Sequence, residues 1–191
     1  MKEKIEQFFD ESSRVLLDCG RKNAALLLEM GRELIRCFEQ GSKLLLFGNG
    51  GSAAEAQHLA AEFVNKLAEY RAPLPAIALT TDTSVLTSIG NDLDFSDIFS
   101  RPVEAMGRPG DVAWGFSTSG KSPNVLKALA KAREMGLRTI AFCGRDSSVM
   151  AQHADFCLSV AADNTARIQE VHLCAGHALC AVVEEHFLAK K

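Results

Sequence analysis

The chain has 191 residues, 47% of them hydrophobic and 24% charged, with a formal net charge of −3. That length supports one sizeable core rather than two ordinary domains, and the balance excludes a disordered chain, a collagen-like repeat or a disulfide-stapled mini-protein. The slight acidity gives phosphate-backbone binding no support, so no nucleic-acid partner is expected.

The opening segment, Met1-Lys2-Glu3-Lys4-Ile5-Glu6, is charged and lacks the apolar stretch of a secretory signal. No apolar run approaches the roughly 18 residues of a membrane span, so no membrane partner is expected either. The six cysteines (Cys19, Cys37, Cys143, Cys157, Cys174 and Cys180) are scattered and form no C-x-x-C pair. Most sit among apolar neighbours, the pattern of reduced thiols serving as small hydrophobes in a cytoplasmic protein.

Residues 2–40 carry helical periodicity in Ile5, Phe8, Phe9, Val15, Leu16 and Cys19, then in Leu26, Leu27, Met30, Leu34, Ile35 and Phe38. One or two amphipathic helices are predicted, stopped at Gly41. The rhythm then changes. Lys43–Phe47 reads as a strand, followed by Gly48-Asn49-Gly50-Gly51-Ser52 and a helix to about Leu67. Ala76–Leu79 reads as a second strand, with helical stretches at Thr83–Ile89 and Phe95–Met106. Asp111–Phe116 is a third strand, leading through Ser117-Thr118-Ser119-Gly120-Lys121-Ser122 into a helix, Pro123–Met135. Arg138–Cys143 and Asp155–Val160 complete the strands, and Thr165–Leu188 is a long final helix. Strands that alternate with helices, and that are apolar without strict alternation, predict an α/β fold: a doubly wound parallel sheet of five strands, buried on both faces. Residues 1–191 form one domain, with 1–40 a helical appendage suited to self-association and 41–191 the α/β unit.

Ligands of such sheets bind at the carboxyl ends of the strands, where both glycine/serine loops fall. In the first loop, consecutive glycines let backbone N–H groups approach a ligand at a helix N-terminus. Gly48-x-Gly50-x-x-Ala53 also fits a dinucleotide fingerprint, but the acid expected about 20 residues on is missing from a strand end: Asp82 lies 34 residues on, and Glu69, at 21, lies beyond the helix. Gly115–Ser122 satisfies the phosphate-loop pattern G-x-x-x-x-G-K-[ST]. Its hydroxyl-rich interior, and a first glycine placed within the strand, count against a nucleotide triphosphatase. Ser117, Thr118, Ser119 and Ser122 instead supply four hydroxyls above a helix N-terminus, a nest for one phosphate monoester. Lys121 either adds charge to that nest or is a solvated surface lysine.

His58 and Glu62 share a helix face about two turns from the first loop. Such a pair is often a plain surface contact; so placed, it can hold a metal or exchange a proton with a substrate. The final helix is apolar nearly all round and therefore buried, in a core or between subunits. It nevertheless carries Gln169, His172 and His177. His177, next to Gly176, reads as functional, while His172 is either functional or a hydrogen-bonded structural histidine. Gln169 and His177 stand roughly 12 Å apart along the axis, so one ion would need both side chains to lean toward it or a ligand from another chain. His153 and His186, near element ends, read as surface residues.

Together, Gly48-Asn49-Gly50-Gly51-Ser52, His58, Glu62, Asn91-Asp92, Ser117-Thr118-Ser119-Gly120, Ser122 and Arg167-Ile168-Gln169-Glu170 with His177 resemble the sugar-isomerase (SIS) family, and within it the branch acting on sedoheptulose 7-phosphate. The resemblance covers nearly the whole chain. Lys121 and Trp114 depart from the usual pattern without touching a matched functional position.

The resemblance implies a flavodoxin-like SIS fold and a homotetramer with active sites at subunit interfaces. It implies that Asn49, Gly50, Gly51, Ser52, Glu62, Asn91, Asp92 and Gln169 contact the sugar and that Ser117, Thr118, Ser119 and Ser122 hold its phosphate. It further implies one zinc ion per subunit at His58, Glu62, Gln169 and His177. The expected reaction converts a phosphorylated ketoheptose to the aldose through an enediol, with Glu62 as base and His177 as acid/base partner. The alternative is a non-catalytic SIS phosphosugar-binding protein or a regulator that docks on a replication initiator; the resemblance places a glutamate at position 62 in the isomerases, and that sister group commonly lacks it.

Overall fold

A computed structural model describes residues 1–189. Five strands, β1 (Leu44–Gly48), β2 (Ala76–Ala78), β3 (Val112–Ser117), β4 (Arg138–Cys143) and β5 (Phe156–Ser159), form one parallel sheet in the order β2-β1-β3-β4-β5. The predicted five-stranded doubly wound fold is therefore present. Six helices cover it: α1 (Lys2–Glu39), α2 (Gly51–Val64), α3 (Thr83–Asp92), α4 (Ser100–Met106), α5 (Pro123–Glu134) and α6 (Thr165–Leu188).

Successive side chains of a strand point to opposite faces, and here both faces are covered. Leu44, Leu46, Trp114, Phe116, Ile140, Phe142 and Leu158 pack into one core with residues of α1, α2 and α6, such as Leu34, Phe63 and Leu179. Leu45, Phe47, Ala113, Ala141 and Cys143 pack into the other with Val103 of α4 and Val125 and Leu129 of α5. Two-sided burial is why the strands read as continuous apolar runs.

The amino-terminal helical region is one 38-residue helix, not two, roughly 57 Å long at 1.5 Å per residue. Its second half buries Met30, Leu34, Cys37 and Phe38, while Ile5, Phe8, Phe9 and Leu17 of its first half remain exposed. The predicted helix over 95–106 is divided. Phe95–Asp97 is a 3₁₀ turn capped by Asp94, whose carboxylate accepts from the Ser96 N–H, and α4 starts just before Pro102, a residue tolerated only in a first turn. No helix among the described residues is long and apolar enough to cross a membrane.

The strand order reverses between β1 and β3, which opens a crevice at their carboxyl ends. The loops following these two strands both border it.

Candidate active site

At this crevice lies a cavity of about 200 Å³ lined by Asn49, Gly51, Ser52, Phe116, Ser117, Thr118, Ser122, Thr165 and Gln169. Three helices begin there: α2 at Gly51, α5 just after Ser122 and α6 at Thr165. Among the described residues no charged side chain lines it. Its hydroxyls, backbone amides and the positive ends of the helices are the kind of groups that suit an anion. The N-caps of α2 and α5, Gly50 and Ser122, make no side-chain cap hydrogen bond. The Ser122 hydroxyl instead lies 2.9 Å from Ser117 Oγ, which is 3.4 Å from Ser119 Oγ. Gly51 lets the Gln169 amide lie against the start of α2; a β-carbon at that position would push the end of that side chain aside.

Lys121 does not join this cavity. Its ammonium pairs with Asp146 at 2.8 Å on the outer side of the loop. Lys121 and Ser148 together hold the Asp146 carboxyl down at about 2. Gly115 sits inside β3, paired in register with Phe47 and Ala141, so the apparent phosphate-loop pattern starts in a strand and not in a loop. Asp82 caps α3 by accepting the Val85 N–H.

A second constellation forms where α2 meets α6. His58 Nε2 lies 2.7 Å from His177 Nε2 and 3.4 Å from Glu62 Oε1. One ligand atom from each of the three residues falls within 4.8 Å of the others. The close approach has a local cause. A β-carbon at Gly176 would come within 2.6 Å of Leu59 Cδ1, so only glycine lets the two helices pack at this spacing. Two imidazoles and a carboxylate converging on one point form a donor set that suits a zinc ion and equally a proton relay.

The other predicted residues are placed as follows. Gln169 lines the cavity, beside Gly51. Asn49 forms a reciprocal amide pair with Asn124, both bonds 2.8 Å. Asn91 and Asp92 are exposed at the end of α3, the Asn91 amide donating to Asp92 at 2.7 Å, and they do not line the cavity. His172 is buried with Nε2 3.3 Å from the Cys143 carbonyl, a structural contact. His153 and His186 are half-buried, and His186 Nε2 is 2.8 Å from Glu39.

Residues 7–144 match the SIS-domain family. Over 185 residues the chain is 50% identical to the phosphoheptose isomerase of Aquifex aeolicus, covering 97% of both chains. It superposes on the structure of phosphoheptose isomerase from Neisseria gonorrhoeae with a TM-score of 0.91 and 41% identity, covering 96% of this chain and 98% of the other. The chain belongs to the phosphoheptose isomerases of the SIS-domain family. It is likewise similar to the phosphoheptose isomerase structure from Francisella tularensis, with a TM-score of 0.92, 33% identity, and coverage of 96% and 97%.

Within this phosphoheptose isomerase fold, sequence reasoning missed Phe116 and Thr165 as cavity-lining residues and Asn124 as the partner of Asn49. Thr165, as the first residue of the last helix, carried a usable signal, since its helix N-terminus had to face the carboxyl ends of the strands. Asn124 carried none, because its amide becomes informative only when β1 and β3 are adjacent.

Proposed function

We propose that the protein is an aldose–ketose isomerase that converts D-sedoheptulose 7-phosphate to D-glycero-D-manno-heptose 7-phosphate, supplying heptose for cell-surface polysaccharide. The observation that carries this reading is the meeting of His58, Glu62 and His177 in a chain that also builds a hydroxyl-lined anion cavity. A non-catalytic phosphosugar-binding role leaves that trio without a task.

Ser117, Thr118, Ser119 and Ser122 hold the phosphate, with the amino ends of α2 and α5 supplying the opposing partial charge. Asn49, Gly50, Gly51, Ser52, Gln169, Asn91 and Asp92 orient the sugar. Glu62 takes a proton from the carbon next to the carbonyl and returns it to the neighbouring carbon. His177 moves a proton between the two oxygens, so that the enediol forms and collapses without net loss of protons. Oε1 of Glu62 faces His58, which leaves Oε2 for the substrate carbon. His58, Glu62 and His177, with Gln169, are the residues that would hold zinc. When bound, it polarises the carbonyl and orders the hydroxyls.

The exposed Ile5, Phe8, Phe9 and Leu17 of α1 support self-association through residues 1–40, as a homotetramer with its active sites at subunit interfaces. Six free cysteines support a reducing, cytoplasmic location. The test is incubation of the purified protein with sedoheptulose 7-phosphate in D₂O. Formation of the aldose with deuterium at the exchanged carbon supports the reading, and absence of both product and exchange from metal-replete protein refutes it.

A further inference from the structure

The carboxyl end of α2, which carries Glu62, is gripped by two buried charged side chains to which the chemistry above gives no role. The last carbonyls of a helix have no partner within it, and α2 has no basic residue in its last turn. Arg71 supplies what is missing. Its Nη2 donates to the Glu62 carbonyl at 2.8 Å and its Nη1 to the Phe63 carbonyl at 2.8 Å. The guanidinium is anchored in turn by Glu184 of α6, whose Oε2 lies 3.7 Å from Arg71 Nε. The two side chains are 2% and 5% exposed, so neither end of the pair is loosened by solvent. The Glu184 carboxylate also accepts the backbone N–H groups of Leu67, Ala68 and Glu69 at 2.9, 2.9 and 3.0 Å, which ties down the segment between Glu62 and Arg71.

Glu184 follows His177 by seven residues, two turns along one face of α6. The same helix face therefore holds α2 twice: through the His58–Glu62–His177 cluster and, two turns further on, through Glu184 and Arg71. The side-chain contacts of Glu62 alone do not fix where its backbone stands. The two hydrogen bonds from Arg71, with the Leu74 N–H that also reaches the Phe63 carbonyl at 3.1 Å, hold that backbone, and of these only Arg71 reaches the Glu62 carbonyl.

We propose that Arg71, held by Glu184, is a positioning residue for the isomerisation: it fixes the terminal turn of α2 so that the Glu62 carboxylate meets the substrate carbon opposite His177. This rests on the reading of Glu62 as the base. A clamp that served folding alone would lower stability and leave the turnover of folded enzyme unchanged. A positioning residue lowers kcat with little change in KM, since the phosphate grip lies at the other end of α2.

The experiment compares full-length wild type, Arg71→Met, Arg71→Lys, Glu184→Gln and Glu62→Gln in steady-state kinetics on sedoheptulose 7-phosphate, with folding checked by circular dichroism. Folded Arg71→Met is expected to lose about 10- to 100-fold in kcat, the scale of a small misplacement of a reacting group. KM is expected to stay within about threefold. Arg71→Lys keeps the charge but not the two-pronged grip and should recover part of the loss, while Glu184→Gln should fall between. If Arg71→Met does not fold, Arg71→Lys decides: a kcat loss of about fivefold or more at unchanged KM supports the proposal. Wild-type kcat in a folded Arg71 variant, with Glu62→Gln inactive, overturns it. Full turnover by Glu62→Gln would instead remove the base assignment itself, and the proposal with it.

Discussion

Gly176 of α6 packs against Leu59 of α2 so closely that a β-carbon there would lie 2.6 and 2.7 Å from the two Leu59 methyl carbons. Leu59 is fully buried and has nowhere to retreat. This contact sets the helix spacing, and the spacing brings His177 Nε2 to 2.7 Å from His58 Nε2. Gly176→Ala therefore separates two effects of opposite sign. Helix propensity favours alanine by about 0.8–1 kcal/mol, whereas overpacking a core costs about 1–3 kcal/mol. The expected outcome is a net loss of stability in urea denaturation together with reduced kcat. A more stable, fully active variant would show that the helices do not depend on this contact.

The phosphate grip is expected to appear in KM. Ser122 offers its hydroxyl to the cavity and makes no side-chain cap to its own helix. Ser122→Ala should therefore weaken substrate binding by about 1–2 kcal/mol, roughly 5- to 30-fold in KM, with a small effect on stability. Lys121→Ala should leave KM near wild type, because that ammonium is committed to Asp146. Steady-state kinetics on both variants checks the contrast.

Acid should loosen the α2–α6 contact through Glu184. Burial alone would raise its pKa, but the N–H groups of Glu69, Ala68 and Leu67, with Arg71, outweigh that and hold it below its ordinary 4.5. The unfolded chain then binds the proton more readily than the folded one. The stabilisation is fully present above about pH 4.5 and is lost as the pH falls through the lower folded value. Glu184→Gln, which leaves Arg71 buried without its partner, should cost about 3 kcal/mol at neutral pH and flatten the acid limb of a stability–pH curve measured by urea denaturation.

Much of the fold was legible because the strands are short apolar runs bounded by glycine and hydroxyl-rich loops; β4, Arg138–Cys143, falls where its pattern placed it. Boundaries failed where a tertiary or capping contact decided them. Gly20, inside α1, does not break that helix, and α2 ends at Val64 rather than Leu67 because Glu184 takes the N–H groups of residues 67–69. The site was half legible. The loops and the His58/Glu62 spacing could be read locally, but the meeting of His58 with His177 joins residues 119 apart. Gln169 lines the cavity and His177 stands with His58, two roles on one helix that no local pattern separates. Nothing local in the sequence announces that the Arg71 and Glu184 side chains are both buried.

The most direct measurement of the chemistry is on Glu62→Gln, which keeps the shape of the side chain and removes its basicity. Calorimetric titration with sedoheptulose 7-phosphate, paired with turnover and deuterium exchange in D₂O, should show binding within a few-fold of wild type, about 1 kcal/mol or less, with product formation and exchange both abolished. Retained exchange and turnover in this variant would contradict a carboxylate base at position 62.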